Sequence, residues 1–430
     1  MLTIFLAGLA FGSLLIRKTC DNKENLLELF GWVELTIGLT AALTILFLGG
    51  LFNLNTIFAF IGKLSRHWLT KIGGIFVVSL SVMFIPTLLM GATFPLVSKI
   101  CIRDLKNVGG KMGVIYSANT VGAILGSIIG GFVLIPIIGI LKSILLLSMI
   151  NIIVGWIVLF FNRDLSPRYK YITSLSLLGF IILSYTIFPT TAKFRSEFED
   201  KNDKTLFYSE DAVATTKVFQ KPSGIKLMSI DGHTIGGTEY NIDKKQKLLA
   251  HLPLLLARNP KTEFVVGLGT GITLGSIELY KGLERIRVAE IVPGAIKGSK
   301  CFSPENRDAL KDPRVTVIEG DGVNYLKNTT ESYDIISSDA KLNPEYVGNT
   351  IVLSEDYYKI CLKRLKNEGI MCQWIPFNLP ENEYLSVLKT FSSVFPHTML
   401  WYFGWTESLL LGSKMKLTFD FKALKENLYL

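Results

Sequence analysis

Acidic residues are scarce where the chain is most apolar. Residues 1–189 hold 6 Asp and Glu against 14 Lys and Arg, so nearly all of the +9 formal charge of the 430 residues falls there. Charge is sparse throughout, at 19% of residues, while 49% are hydrophobic. That balance excludes a disordered chain and a single ordinary soluble domain. Cysteine is sparse as well: Cys20, Cys101, Cys301, Cys361 and Cys372, with no CxxC and no Cys/His ligand spacing. An odd, scattered set excludes a disulfide framework and a structural zinc site, and it fits a reducing compartment. No metal is expected. The basic excess lies between hydrophobic runs, where it reads as a topology signal in membrane loops and not as a nucleic-acid surface.

Six apolar runs, at about 1–16, 30–52, 72–98, 113–139, 143–162 and 171–189, are long enough to cross or nearly cross a bilayer core. Residues 1–189 are therefore expected to form a multi-spanning helical domain in a lipid bilayer. The stretch 54–62 is apolar but short, and reads as interfacial or re-entrant. The first run begins at Met1 without the basic region and cleavage site of a secretory leader, as if cut inside a helical hairpin. Gly122, Gly126 and Gly130 recur every four residues, a spacing that lets helix backbones approach closely. Asn119 and Asn151 are expected to bond neighbouring helices, and Glu34 to reach the interface near the end of its run. If all six runs span, the basic loops 17–29, 99–112 and 163–170 share one side. The positive-inside tendency makes that side cytoplasmic and puts the segment after 189 opposite, against what the second half needs.

Beyond residue 190 the pattern changes. Residues 190–255 carry short strand-like pieces and form a small β-rich part. From 256 to 430, β-runs alternate with helical stretches: FVVGL, ITLGSIELY, RIRVAEI, PGAIKGSKCF, RVTVIEG, YDIISSD, EDYYKICLKRLK, GIMCQWI. Repeated β–α units with apolar strands indicate a parallel, Rossmann-like sheet covered on both faces. The first strand ends in Gly267-Leu268-Gly269-Thr270-Gly271, where glycines permit a sharp turn and let a ligand approach the backbone. The second strand ends in Glu290, placed to take ribose hydroxyls. The third leads to Asp321-Gly322, where an acid can accept from an adenine amino group. The fourth ends in Asp339. All four features fall at the carboxyl edge, where open α/β sheets bind ligands. Any one of these acids alone reads as an N-cap or a solvated loop residue; the four in order read as a nucleoside site.

The run VVGLGTG…VAEI…DPRVTVIEGDGVNYL…YDIISSD…EDYY…GIMCQW resembles the polyamine aminopropyltransferase family, the spermidine and spermine synthases. IDGHTIGG and AHLPLLL are similar to two upstream segments of that family. FLAGLAFGSLL, MGATFPL and YSANTVGAILGSIIGGF resemble the multi-spanning region fused to such domains in some bacterial proteins, a likeness that implies the sequence starts after the first membrane helix of that arrangement. The resemblance implies a class I methyltransferase-like catalytic fold and a bacterial inner-membrane location with the soluble domain in the cytoplasm. It also implies a homodimer, and transfer of an aminopropyl group from decarboxylated S-adenosylmethionine to a small amine. Gly267, Gly269, Gly271, Glu290, Asp321 and Gly322 would then hold the donor, and Asp339 would be the catalytic acid-base residue.

The amine-handling positions depart from the family. The acid of its GGGDGG loop falls on Thr270, its DE pair on Asn241 and Ile242, the tyrosine of its histidine segment on Lys245, and the glutamine of LDGxxQ on Ile235. Of its D-S-S-D acids the first is Asp339 and the second is Leu342, with Lys341 between them placed to repel a polyamine. Glu345 or Asp211 would have to substitute from loops, and His251 reads as a packing residue. These departures leave three readings, of which an active aminopropyltransferase is the first. A methyltransferase using intact S-adenosylmethionine, or a non-catalytic nucleoside- or polyamine-binding sensor or transport-associated protein, are the alternatives.

Overall fold

The computed structural model describes residues 1–48, 68–102, 107–186, 196, 198–339, 351–376, 379–403 and 407–417. They belong to two compact units, Met1–Phe194 and Arg195–Leu430.

The first unit is helical: its long apolar runs close their backbone hydrogen bonds within each segment. Its helices are α1 (Leu2–Asn22), α2 (Leu26–Leu48), α3 (Trp68–Cys101) and α4 (Val108–Ile128), then a π-helical turn (Ile129–Leu134). There follow a short α5 (Ile135–Ile138), α6 (Ile140–Phe161) and α7 (Pro167–Thr186). Five stretches are long and apolar enough to cross a membrane: Leu2–Asn22, Leu26–Ile45, Ile72–Cys101, Val108–Ile138 and Ile140–Phe161. The sixth expected run falls on α7, which carries Arg168 and Lys170 in its first turn and is not among the five. The segment 54–62 lies outside the described residues.

Close helix packing is carried by glycines other than the expected repeat. A β-carbon on Gly12 of α1 would lie 1.8 Å from the Leu88 carbonyl oxygen of α3, and one on Gly91 of α3 would lie 2.3 Å from that of Leu9. Gly31 and Gly38 of α2 meet Leu159 and Ile152 of α6 in the same way. By contrast, β-carbons on Gly122, Gly126 and Gly130 would have no described neighbour within 4 Å. The GxxxG spacing marks where a backbone can be approached, but not which helix does so. Asn151 bonds its own helix, donating to the Leu147 carbonyl. Lys99 Nζ donates to the Cys20 carbonyl at 2.8 Å and to Asp21 at 2.7 Å, while Asn25 bonds Asn162 and Asp164. These contacts gather the ends of α1, α3 and α6 and the start of α2 on one side, as the loop count expects.

The second unit opens with an antiparallel meander, β1 (Lys204–Glu210), β2 (Thr215–Gln220), β3 (Lys226–Ile230) and β4 (His233–Gly237). Asp231 and Gly232, both at positive φ, make its last hairpin turn. Helix α8 (Tyr240–Leu256) follows; it crosses the boundary expected at 255 and packs on the larger sheet. That sheet holds β5 (Thr262–Val266), β6 (Arg285–Glu290), β7 (Val315–Glu319), β8 (Tyr333–Ser338), β9 (Leu365–Pro376), β10 (His397–Phe403) and β11 (Glu407–Ser413). Its order is β10-β11-β9-β8-β5-β6-β7, with β9 to β7 parallel and β11 antiparallel to both its neighbours. This is the class I methyltransferase-like arrangement, as expected from the β–α alternation.

The intervening helices are α9 (Ile272–Ile277), α10 (Pro293–Gly298), α11 (Gly322–Asn328), α12 (Glu355–Arg364) and α13 (Glu381–Val394). Alternation along β5 feeds two cores. Val265 packs with Leu249, Leu254, Ile286 and Ile335 on one face. Phe264 packs with Ile336, Tyr358 and Phe391 on the other. Each such fully buried side chain contributes about 1.5–3 kcal/mol, so the strand order is held from both sides and the strand tips are a rigid platform.

Candidate active site

The turn after β5 is built on backbone conformations that favour glycine: Gly267 has φ +91°, Gly269 +53° and Gly271 +78°. A side chain there would cost about 1–2 kcal/mol in strain alone. A β-carbon on Gly267 would have as its nearest neighbour the Asp339 carbonyl oxygen at 3.7 Å, and one on Gly269 the Ile235 side chain at 3.6 Å. The loop thus presents bare backbone between the tip of β8 and the β4 strand, the kind of surface a nucleoside can approach.

Glu290 holds this loop. Its buried carboxylate accepts from the amides of Leu268 (2.9 Å) and Gly269 (3.1 Å) through one oxygen, and from that of Val292 (2.9 Å) through the other. The Gly320 amide donates to the Glu290 carbonyl at 2.9 Å, which joins the β7 tip to the same cluster. Asp321 caps α11 by accepting from Val323 at 2.9 Å, and its second oxygen accepts no hydrogen bond among the described residues. Gly322 serves packing: its β-carbon would lie 3.2 Å from Ala289 and from Val266, so it lets α11 close on the sheet. On the other side the Asp339 amide donates to the Val266 carbonyl at 3.2 Å. The glycine loop, Glu290, Asp321 and Asp339 therefore sit on four neighbouring strand tips linked by hydrogen bonds.

Asp339 is already paired. Lys245 of α8, almost fully buried, places Nζ 3.0 Å from Asp339 Oδ1 and 4.2 Å above the centre of the Trp374 ring. The Trp374 indole N–H donates to Glu407, the first residue of β11. Burial pushes the Glu407 carboxyl up, the Trp374 hydrogen bond and the Lys245 charge oppose that, and the Asp339 charge adds to it. Among the described residues no group of three or more His, Cys, Asp and Glu could hold a metal ion.

Residues 243–411 match the Spermine/spermidine synthase domain. The chain is similar to the polyamine aminopropyltransferase of Buchnera aphidicola subsp. Schizaphis graminum, 31% identical over 220 residues that cover 49% of this chain and 76% of that one. The chain belongs to the polyamine aminopropyltransferase family. Similarity to the polyamine aminopropyltransferase of Oceanobacillus iheyensis runs through both halves: 22% identity over 402 residues, 91% of this chain and 73% of the relative. The solved spermidine synthase from Thermotoga maritima is 19% identical, with a TM-score of 0.43 over 53% of this chain and 84% of that one.

Against the polyamine aminopropyltransferase pattern, the departures have structural consequences. Thr270 is buried, and its hydroxyl donates to Gln246 Oε1 at 2.5 Å. Gln246 is fixed in turn by donating to the carbonyls of Gly237 and Ile242. A family acid position has become part of the packing between α8 and the loop. Ile235 lines the same loop with an aliphatic side chain. Asp211 is committed to a turn and to the start of α10, accepting from Val213, Ala214 and Gly294. His251 faces Tyr280, with Nδ1 3.0 Å from the hydroxyl, and burial lowers its pKa, in line with a packing role. Lys341, Leu342 and Glu345 lie outside the described residues. The Lys245 pair, Trp374 and Glu407 were not found by sequence reasoning. The one signal for Glu407 is an acid heading the apolar run SLLLG.

Proposed function

We propose that this chain is a membrane-anchored aminopropyltransferase that moves the aminopropyl group of decarboxylated S-adenosylmethionine onto a small amine. The observation that carries this reading is the set of four linked strand tips, with Glu290 gripping a bare glycine loop and Asp339 at its edge. The donor's adenosine lies over Gly267, Gly269 and Gly271, its ribose hydroxyls toward Glu290 and its adenine toward the open oxygen of Asp321. The amine nitrogen attacks the methylene carbon next to the sulfonium. A C–N bond forms, the C–S bond breaks, and its electron pair goes to sulfur, which leaves as the neutral thioether methylthioadenosine. Amines have pKa values of roughly 10, so a proton must leave the nitrogen. Asp339 Oδ2, which accepts no hydrogen bond among the described residues, receives it and passes it to water.

Thr270 is the one observation that favours the methyltransferase alternative, because it removes an acid from the donor side of the pocket. Mass spectrometry of products decides between them. The full-length chain in detergent, given each donor and a panel of amines, is expected to yield methylthioadenosine and a product heavier by one aminopropyl group. A product heavier by one methyl group, or none with any amine, would overturn the reading.

Five crossings, with α7 not spanning, would return the chain after α6 to the side of the basic loops, in keeping with a cytoplasmic catalytic unit at the inner membrane. Protease treatment of inside-out vesicles is expected to digest the C-terminal half, and its protection there would contradict this topology.

A further inference from the structure

An ammonium flanked by a carboxylate and an aromatic face is the arrangement that recognises one end of an amine ligand. Here that arrangement exists at the tips of β8, β9 and β11, formed by Asp339, Trp374 and Glu407, and the ammonium in it belongs to the chain itself. Lys245 is buried at 4% exposure, with its Nζ 3.0 Å from Asp339 and 4.2 Å from the ring centre. Nothing about its helix demands this. Its neighbour Lys247 makes an ordinary exposed pair with Asp243 one turn away. We propose that Lys245 permanently fills the ammonium subsite of the acceptor pocket, so that the acceptor is an amine without a second cationic group.

This deepens the aminopropyl-transfer reading and rests on it. Asp339 Oδ1 already holds a cation, and the same cation sits over the Trp374 ring. Burial raises the Glu407 carboxyl, while the Trp374 hydrogen bond and the Lys245 charge oppose that. A second ammonium brought within a few ångströms of Lys245 would be repelled by its charge. A neutral tail brings no charge to meet it. Lys245 is thus a specificity-determining residue, and the polar pair it makes keeps Asp339 oriented beside the glycine loop.

The test uses the full-length chain in detergent, with butylamine and 1,4-diaminobutane as probes of equal chain length. Thermal unfolding reads binding in the absence of any donor. The wild type should gain no stability from the diamine. Lys245→Met vacates the subsite and leaves Asp339 unpaired, so saturating diamine should raise its unfolding temperature by roughly 5 °C or more. Asp339→Asn in that background should abolish the gain. If Lys245→Met does not fold, Lys245→Gln gives the same comparison with a polar side chain. In turnover, the wild type should favour butylamine over the diamine at least tenfold in kcat/KM, and the variant should shift that ratio tenfold or more toward the diamine. Equal stabilisation of wild type and variant by the diamine, or an unchanged ratio, overturns the proposal. If no amine releases methylthioadenosine, the transfer reading falls, while the diamine-dependent stabilisation still judges the subsite.

Discussion

Replacing Glu290 probes the site at its most connected point. Its carboxylate takes three backbone amides, from Leu268, Gly269 and Val292, all within 3.1 Å. Hydrogen bonds to a charged group contribute about 1.5–3 kcal/mol each, and a buried amide left unpaired costs about 1–3 kcal/mol. Glu290→Ala removes all three acceptors, though water entering the space recovers part of the loss. A net penalty of about 3 kcal/mol on the loop conformation is a conservative sum, and it falls on the surface that meets the donor. At about 1.4 kcal/mol per tenfold change, affinity for methylthioadenosine should drop roughly 100-fold or more. Glu290→Gln is the sharper variant. Its amide can keep an oxygen toward Leu268 and Gly269 only by turning its NH2 against the Val292 amide. One bond is lost and one buried donor is orphaned, so the expected loss is roughly tenfold. Isothermal titration of the full-length chain measures both. Unchanged affinity in Glu290→Ala would refute the assignment, and a Gln variant weaker than the Ala variant would refute the hydrogen-bond reasoning behind it.

Asp339→Asn should leave methylthioadenosine affinity within about threefold of wild type, since the Asp339 amide bond to Val266 is kept, yet lower turnover by about 10²-fold or more; an active variant would show that the proton goes elsewhere. Glu263, fully buried on β5 and accepting from Ser337 at 2.8 Å, has its carboxyl pushed up to about 8 by burial, with the Ser337 bond opposing. The folded chain holds this proton where the unfolded chain has released it, so the stabilising contribution is complete below the ordinary 4.5 and is lost as pH rises toward 8. Denaturant unfolding should show stability falling across that window by up to about 1.4 kcal/mol per pH unit, and Glu263→Gln should flatten the slope; an equal slope in the variant would remove Glu263 as the cause.

The parallel sheet was legible because FVV, VAE, VTVI and DIISS are short apolar runs between helical stretches, a pattern that in β5, β6 and β8 goes with burial. The glycine loop and the acids were legible because each falls at the end of such a run, and the topology places those ends on one edge. The Lys245 pair was not. Residue 245 was placed only at the tyrosine position of the family's histidine segment, and it is the packing of α8 across β8 and β9 that turns this lysine toward Asp339 while Lys247 stays exposed. Glu407 was hidden for a related reason. Its meeting with Trp374 comes from the antiparallel pairing of β11 with β9, where Glu407 lies opposite Pro376 and Leu409 opposite Trp374. No local pattern encodes that register. In the helical first unit, Gly8 and Gly12 have the same spacing as Gly122 and Gly126, yet only the first pair meets a described neighbour.

One shared nucleoside site at four strand tips is the central claim. A crystal structure of the chain bound to methylthioadenosine tests it directly. The nucleoside is expected over Gly269, with its ribose hydroxyls within hydrogen-bond distance of Glu290, its adenine amino group at Asp321 and its sulfur on the Asp339 side. A nucleoside bound elsewhere, or lying across Gly269 without touching either acid, would contradict it.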